Sequence, residues 1–220
     1  MSARVRSRSA TDPRERALVR LHARIRACTR CVDAGYLPSA FPIVAGHAND
    51  RVMIIGQAPG AIELTTGLPF SGRAGAELRR WLAVAGIDEA RLPYRTAITK
   101  CFPGKALSGA GDRRPSPPEV LLCAPWLEAE LALVGPRVLL LVGTLAIERF
   151  WGKVPLSEVV GQSRVEGGRV LIPLPHPSGA SRWLNDPENR ERLARALAVV
   201  RRAVRRLDNA GSAARMHRST

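Results

Sequence analysis

The sequence has 220 residues, of which 45% are hydrophobic, and its 34 lysines and arginines against 19 aspartates and glutamates give a formal net charge of +15. This is enough apolar material for the core of one domain, and the positive charge favours a polyanionic partner such as nucleic acid. No run of about 18 apolar residues is present, and the first 16 residues lack the apolar centre of a signal peptide, so we expect a cytoplasmic protein with no membrane partner.

The order of the predicted elements is typical of an α/β domain. Apolar runs predict four strands, and apolar residues at helical spacing predict helices between and around them. The strands are expected at 52–55, 96–99, 138–142 and 170–173, and the helices at 17–28, 75–85, 118–134, 144–150 and 187–207. This alternation predicts a parallel sheet with helices on both faces and functional loops at the carboxyl ends of the strands.

A single domain is expected between two terminal segments of low apolar content. Residues 1–16 are rich in arginine and serine and predict a disordered basic arm, and residues 208–220 predict a disordered tail. The domain is therefore expected to span 17–207. Within it, residues 102–117 predict a long loop rich in glycine, proline, serine and arginine.

The four cysteines of the chain are spaced like the ligands of a metal centre. Cys28 and Cys31 form a Cys-x-x-Cys pair, whereas Cys101 and Cys123 follow much later. Such an arrangement lets one centre join an N-terminal segment to a later loop, and a reducing compartment favours metal binding over disulfides. A [4Fe–4S] cluster and a zinc ion both fit the spacing, and four ordinary buried thiols are a third, less favoured interpretation.

Two loops at predicted strand ends carry glycine, proline and polar residues. The first begins with Gly56-Gln57-Ala58-Pro59-Gly60 and continues through Glu63 to Gly67-Leu68-Pro69-Phe70-Ser71-Gly72. The second is His176-Pro177-Ser178, just after the last predicted strand. Because the carboxyl ends of parallel strands share one edge of the sheet, functional loops are expected together there.

Together these motifs resemble the uracil-DNA glycosylase superfamily, most closely its iron–sulfur branch, families 4 and 5. The resemblance runs from about residue 28 to residue 207 and depends on the order of the motifs: Cys-x-x-Cys, the two segments of the first loop, Lys100-Cys101, Cys123 and His-Pro-Ser. It implies a three-layer α/β/α fold with a central four-stranded parallel sheet. It also implies a [4Fe–4S] cluster held by Cys28, Cys31, Cys101 and Cys123, and a monomer that excises uracil or another deaminated base from DNA.

Each motif has an expected role in that reaction, in which the base is flipped out of the duplex into a pocket. Phe70 is the expected stacking platform, although a core position is the alternative. Bond cleavage leaves an anionic base, and the His176 side chain with the backbone N–H groups of Gln57 and Ala58 is suited to hold its oxygen. The remaining candidates for binding the substrate are Gly56, Pro59, Ala97 and Ser178, and Ser178 and Ser181 are also candidate phosphate ligands.

Trp183 and Leu184 follow the histidine loop, where members of this branch present an apolar side chain that fills the gap left by the flipped nucleotide. Packing of this pair into the protein core is an equally good interpretation.

The chain differs from family 4 or from the best-known relatives at residues that hold the attacking water or bind the uracil edge in those enzymes. Gln57 replaces a carboxylate of family 4, Ala58 stands where the best-known relatives have aspartate, and Ala97 replaces the asparagine that reads the uracil edge. A pocket without that asparagine should discriminate bases less sharply, so hypoxanthine and xanthine are further candidate substrates. Glu63 is the first candidate for the missing catalytic carboxylate and Asp112 the second. The alternative function is a catalytically weak or inactive iron–sulfur module that binds or senses damaged DNA.

Overall fold

The computed structural model describes residues 12–88, 92–108, 111–178 and 182–216, with side chains up to residue 209. One central sheet contains five strands: β1 (Val52–Gly56), β2 (Tyr94–Ala97), β3 (Val138–Val142), β4 (Arg164–Glu166) and β5 (Arg169–Leu174). Their order is β2-β1-β3-β5-β4. The predicted α/β class and parallel sheet are thereby confirmed, since β1, β2, β3 and β5 are all parallel.

The sheet has one strand more than the expected four. β4 is a three-residue edge strand that pairs antiparallel with β5. Gly167 and Gly168 connect the two strands, and both adopt positive φ angles, 54° and 75°. Glycine adopts this conformation without steric cost, which makes a two-residue hairpin turn favourable.

Eight helices surround the sheet in the described residues. They are α1 (Pro13–Arg26), α2 (Arg30–Asp33), α3 (Ala61–Thr66), α4 (Arg73–Val84), α5 (Pro117–Val134), α6 (Thr144–Phe150), α7 (Leu156–Val159) and α8 (Pro187–Met216), with a 3-10 turn at Arg182–Asn185. None of these helices combines the length and apolar character needed to cross a membrane.

Alternate residues of the central strands pack into two separate cores. Ile55 and Leu139 lie in a core with apolar residues of α1, α5 and α6. Ile54 and Leu140 lie on the opposite face with residues of α4 and α8. Successive side chains of a strand point to opposite faces, so the near-continuous apolar runs of β1 and β3 belong to strands covered on both sides. This arrangement is the expected three-layer architecture.

Element boundaries differ from the prediction at several places. α1 begins at Pro13, inside the predicted basic arm, because the Asp12 side chain accepts the Arg14 N–H and proline is favourable in a first turn. α8 continues to Met216, beyond the predicted end at residue 207. Residues 208–216 contain three alanines, which favour a helix, but they lack the apolar spacing on which the prediction depended. Residues 1–11 and 217–220 lie outside the described residues.

The short elements were not predicted. α2, α3 and α7 contain four to six residues, too few to show a helical period. β2 lies two residues earlier than expected, at 94–97. Beyond it, Ile98 and Thr99 donate their N–H groups to the carbonyl oxygens of Gly56 and Gln57. The end of β2 is thus tied to the first motif loop.

Candidate active site and cysteine pocket

The predicted motif loops meet at the carboxyl edge of the sheet. β1 ends at Gly56, β3 leads into Gly143, and β5 leads into His176. A Cβ atom added to Gly143 would lie 3.3 Å from Cδ2 of His176, so the imidazole ring packs against bare backbone at the end of β3. The two loops singled out in the sequence therefore lie at neighbouring strand ends.

Phe70 places its ring over the end of β1. A Cβ atom added to Gly56 would lie 2.8 Å from Cζ of Phe70, so a side chain at position 56 would force the ring to move. Phe70 is half-buried and has a φ angle of 55°, the one positive φ among non-glycine residues of the described chain. This conformation is costly for a residue with a bulky side chain and is maintained by the surrounding loop.

Glu63 joins the two segments of the first motif loop. Its Oε2 accepts the N–H of Gly60 at 3.0 Å, and its Oε1 accepts the N–H of Ser71 at 3.1 Å and of Gly72 at 3.4 Å. The residue is 9% exposed. Because both carboxylate oxygens bind backbone N–H groups, the geometry favours a role in holding the loop over the predicted catalytic role.

His176 is held in one tautomer by its own loop. The backbone N–H of Ser178 donates to Nδ1 at 3.2 Å, and Oγ of Ser178 lies 2.9 Å from the same nitrogen. A backbone N–H can only donate, so Nδ1 is the acceptor and the ring proton resides on Nε2. Burial lowers the pKa of His176, and the nearby Asp112 charge opposes this only in part. The site therefore presents a neutral imidazole with an Nε2–H donor.

Asp112 lies beside the first motif loop. Its Oδ2 is 3.0 Å from the position that a Cβ atom on Gly60 would take, and its charge acts on His176. Oδ1 accepts a hydrogen bond from Nζ of Lys105 at 2.8 Å. Asp112 was the second candidate from the sequence, and the structure places it beside Gly60, close enough for its charge to oppose the lowering of the His176 pKa by burial.

The other predicted substrate-binding residues form the floor of the same edge. Gly56, Pro59 and Ala97 are buried, whereas Gln57 and Ala58 are half-buried. Ala97 presents no polar side-chain atom where an amide would read a base. Its carbonyl oxygen accepts a hydrogen bond from Nζ of Lys100 at 2.6 Å.

Lys100 belongs to a buried polar network that sequence analysis missed. Its Nζ lies 2.7 Å from Oε2 of Glu130 and donates to Oγ1 of Thr96 at 2.7 Å. Glu130 also accepts a hydrogen bond from the Tyr94 hydroxyl at 2.8 Å. The Tyr94 hydroxyl oxygen lies 2.7 Å from Nε2 of His22. The available signal was a glutamate seven residues after Cys123, on the apolar face of α5.

The four cysteines line one pocket on the α1–α5 side of the domain. Two N–H groups donate to their sulfur atoms: the Lys100 backbone to Cys123 at 3.3 Å, and Nε1 of Trp126 to Cys28 at 3.2 Å. Burial raises the pKa of Cys31 to about 11 and that of Cys101 to about 12, so metal binding there must displace protons.

A single metal ion in this pocket would need ligands grouped closely around it. No three His, Cys, Asp or Glu side chains in the described part of the chain are grouped closely enough to hold one metal ion. Tetrahedral zinc would bring its sulfur ligands to about 3.8 Å from one another. The buried Oγ1 of Thr99, which also lines this pocket, has no hydrogen-bond partner. Four thiols that line one pocket, with N–H donors to two of the sulfur atoms, are a donor set that suits an iron–sulfur cluster or a zinc ion.

Trp183 and Leu184 pack against the core between α4 and α8. Both are half-buried, and the carbonyl oxygen of Trp183 accepts the Nδ2 amide of Asn189 at 3.0 Å. The core interpretation of this pair is therefore the one that the structure favours. Ser181, a candidate phosphate ligand, lies outside the described residues.

Comparison with known proteins decides the family. The profile described as the uracil DNA glycosylase superfamily matches residues 43–201, which contain the first motif loop, the end of β2 and the histidine loop. The chain belongs to the uracil-DNA glycosylase superfamily. The membership expected from the motif order is thus confirmed.

Relatives within the superfamily cover most of the chain. A type-4 uracil-DNA glycosylase of Thermotoga maritima is 31% identical over 170 residues, 75% of this chain and 83% of the relative. A type-4 enzyme of Pyrobaculum aerophilum is 31% identical over 174 residues, 75% of this chain and 85% of the relative. A type-5 uracil-DNA glycosylase of Thermus thermophilus is 33% identical over 153 residues, 60% of this chain and 67% of the relative.

Proposed function

We propose that this protein excises uracil from DNA by hydrolysing the N-glycosidic bond, and that His176 stabilises the departing base. The superfamily match and the type-4 relatives confirm the predicted class of enzyme, a DNA-repair glycosylase. The hydrogen bond from the Ser178 backbone to Nδ1 of His176 carries the assignment of roles, because it leaves Nε2–H free to donate.

The flipped base stacks on Phe70 in this proposal. Its ring lies at the end of β1, at the same sheet edge as His176. Stacking on an aromatic side chain contributes about 1–3 kcal/mol per base and offsets part of the cost of unstacking the nucleotide. Phe70 therefore supplies affinity and orientation, and the polar groups supply the chemistry.

His176 acts on the leaving group. As the C1′–N1 bond breaks, its electron pair moves onto the base, and negative charge develops on the base oxygen. A neutral imidazole that donates from Nε2 stabilises this charge without transferring a proton, and the backbone N–H groups of Gln57 and Ala58 are the other proposed donors. A donor placed in this way typically contributes about 100-fold to 1000-fold in rate.

Asp112 is the proposed water-positioning group. Water attacks C1′ of the oxocarbenium-like sugar, its oxygen forms the new bond, and its proton passes to the Asp112 carboxylate. Support comes from the position of Asp112 beside Gly60 and from the effect of its charge on His176, whereas Glu63 uses both oxygens to hold the loop. Asp112 then supplies the carboxylate that Gln57, with its neutral amide, does not.

Hypoxanthine and xanthine are proposed as secondary substrates. Ala97 leaves the end of β2 without an amide that would favour the uracil edge over other bases. Sites that bind a substrate edge by hydrogen bonds reject analogues strongly, and this pocket lacks that source of rejection on this side.

A [4Fe–4S] cluster is proposed for the cysteine pocket, held by Cys28, Cys31, Cys101 and Cys123. When bound, it would serve as a structural brace, because its ligands come from the end of α1, from α2, from the loop after β2 and from α5. The Lys100 and Trp126 N–H groups would hydrogen-bond to its thiolates. Cys101 directly follows Lys100, so the brace would also fix the end of β2.

Single-turnover cleavage of matched oligonucleotides that carry uracil, hypoxanthine or xanthine tests the function. We expect abasic product, detected by alkaline strand cleavage, from uracil with the wild-type protein and at least a 100-fold loss in His176→Ala. Folded wild-type protein that binds uracil-containing DNA but releases no base would contradict the proposal and favour a damage-sensing module.

A further inference from the structure

The arginines of α8 are balanced by acidic residues in one part of the helix and unbalanced in another. Near its start they have partners: Arg192 pairs with Glu188 at 3.0 Å, and Arg195 pairs with Glu191 at 4.0 Å. From residue 200 to residue 207 the helix contains four arginines and no acidic residue. Positive charge is therefore concentrated in this later part of α8.

Three of these four arginines have no structural role in the described part of the chain. Nη2 of Arg201 donates to the carbonyl oxygen of Val84 and so caps the end of α4. The side chains of Arg202, Arg205 and Arg206 are exposed, and within the described residues none of them forms an ion pair or a hydrogen bond. Arg202 and Arg206 are four residues apart, so they lie on one face of the helix, about 6 Å apart along its axis.

This end of α8 lies at the amino edge of the sheet. Nη1 of Arg51, the residue before β1, donates to the carbonyl oxygen of Leu207 at 3.4 Å. At the other end of β1, Gly56 lies under the ring of Phe70. A strand of this length spans about 16 Å, so the exposed arginines lie at the opposite end of the strands from the base pocket.

A groove with a volume of about 930 Å³ lies beside the same end of α8, with Val204 and Leu207 in its lining. Its lining also includes three arginines and three aspartates: Arg26, Arg51, Arg95, Asp50, Asp88 and Asp208. Because these charges cancel, the groove itself attracts a polyanion only weakly. The excess of positive charge at this edge therefore belongs to the exposed face of the helix.

We propose that Arg202, Arg205 and Arg206 bind the phosphate backbone of a second DNA duplex while the base pocket holds the first. The proposal rests on the proposed function only for the identity of the partner, DNA. Arginine contacts to phosphate supply affinity without sequence preference, and a guanidinium group can donate two hydrogen bonds to one phosphate. A protein that contacts two duplexes at once can pass directly from one to the other, which shortens its search for a rare base.

Capture of a second duplex by DNA-bound protein tests this surface. The protein is loaded on an immobilised duplex that carries a stable abasic-site analogue, unbound protein is washed away, and a fluorescent duplex without uracil is added. Wild-type protein should capture the fluorescent duplex, and Arg202→Gln combined with Arg205→Gln and Arg206→Gln should lower capture about tenfold or more. Absence of capture by wild-type protein, or undiminished capture by the triple variant, would overturn the proposal.

A second triple variant controls for net charge. Arg20→Gln, Arg149→Gln and Lys153→Gln remove the same charge from exposed positions on α1, at α6 and just after α6, and capture should stay within about twofold of wild type. Equal losses in the two triple variants would show a general effect of net charge and contradict a specific surface. Polyglutamate that displaces the second duplex at the same concentration of charge would assign the surface to an acidic protein instead of DNA.

Single-turnover cleavage separates this proposal from the proposed function. The variant without Arg202, Arg205 and Arg206 should excise uracil from a short duplex at the wild-type rate, because these arginines lie away from the base pocket. A slower rate would place them on the first duplex and overturn the second one. If wild-type protein captures both duplexes but excises no uracil, the glycosylase proposal fails and the second DNA surface stands.

Discussion

Nη1 of Arg79 donates a hydrogen bond to the carbonyl oxygen of Phe70 across 3.1 Å. Arg95 reaches the preceding carbonyl, of Pro69, at 3.5 Å. Burial lowers the pKa of Arg95, and the charge of Arg79 adds to this effect. Two guanidinium groups that repel each other thus donate hydrogen bonds to adjacent carbonyl oxygens. Gly75 lets the Phe70 carbonyl pack closely against α4, since a Cβ atom at position 75 would lie 1.7 Å from the Phe70 oxygen.

Arg79→Met is expected to lower kcat/KM on uracil-containing DNA about tenfold, because Phe70 loses support for its strained backbone. Arg79 acts through Phe70, so the same substitution should have no further effect in a Phe70→Ala background. The measurement is a double-mutant cycle in single-turnover kinetics. Arg80→Met is the control, since Arg80 lies on the surface of the same helix and pairs with Glu77. Additive losses would contradict a positioning role.

The proposed role of His176 predicts how the reaction rate depends on pH. Its folded-state pKa lies below the usual value near 6.5, so the imidazole stays neutral as the pH falls through that value. We expect kcat to be constant from about pH 8 to 6.5 and to fall at lower pH, where a proton on Nδ1 would oppose the Ser178 N–H. The stabilising contribution of the neutral ring should be complete above about pH 6.5 and lost below it. Retention of the acid limb in His176→Ala would assign it to another group.

Asp112→Asn and Glu63→Gln distinguish the two candidate carboxylates. Asp112→Asn should lower kcat about 100-fold with little change in KM, because it removes the acceptor of the water proton. Glu63→Gln should chiefly lower the free energy of unfolding, by about 1–3 kcal/mol, because it weakens backbone contacts of a buried carboxylate. Kinetics and urea unfolding on both variants provide the measurement. A larger kcat loss in Glu63→Gln than in Asp112→Asn would reverse the assignment.

If the cysteine pocket holds the proposed [4Fe–4S] cluster, protein purified without oxygen should contain iron and sulfide in equal amounts. Cys101→Ser should lose the visible absorption of the cluster and lower the midpoint of thermal unfolding, because the link between β2 and α1 is broken. Trp126→Phe removes only the N–H donated to Cys28, so this variant should retain iron. Stoichiometric zinc and a colourless wild-type protein would favour a zinc site instead.

The buried pair of Lys100 and Glu130 should be costly to break on one side. Glu130→Leu leaves a buried ammonium without its carboxylate, and we expect a loss of about 3–5 kcal/mol in the free energy of unfolding. Lys100→Met combined with Glu130→Leu should recover much of that loss, since no unpaired charge remains. Urea denaturation measures both. If the double variant is as unstable as Glu130→Leu alone, the loss comes from altered packing of the side chains and not from the unpaired charge of Lys100.

Local patterns predicted the fold because the parallel strands are buried on both faces, which produces apolar runs such as that of β3. They also predicted that the Gly56 and His176 loops would meet, since both follow parallel strands. Contacts between distant segments leave no local trace. Neither the effect of the Asp112 charge on His176 nor the hydrogen bond from Arg79 to Phe70 could be predicted from the spacing of residues in the sequence. The sequence favours Glu63 over Asp112 as the catalytic carboxylate because Glu63 lies in the first motif loop. The sequence does not show that backbone N–H groups donate hydrogen bonds to both oxygens of Glu63.

The contact between Gly56 and Phe70 sets the distance of the Phe70 ring from the end of β1. With no side chain under the ring, the height of the stacking platform above β1 is set by the backbone itself. A methyl group at position 56 would displace the Phe70 ring from the end of β1. If the base stacks on Phe70 as proposed, this displacement changes the space in which the base lies, so the absence of a side chain at position 56 helps to determine which bases the pocket accepts.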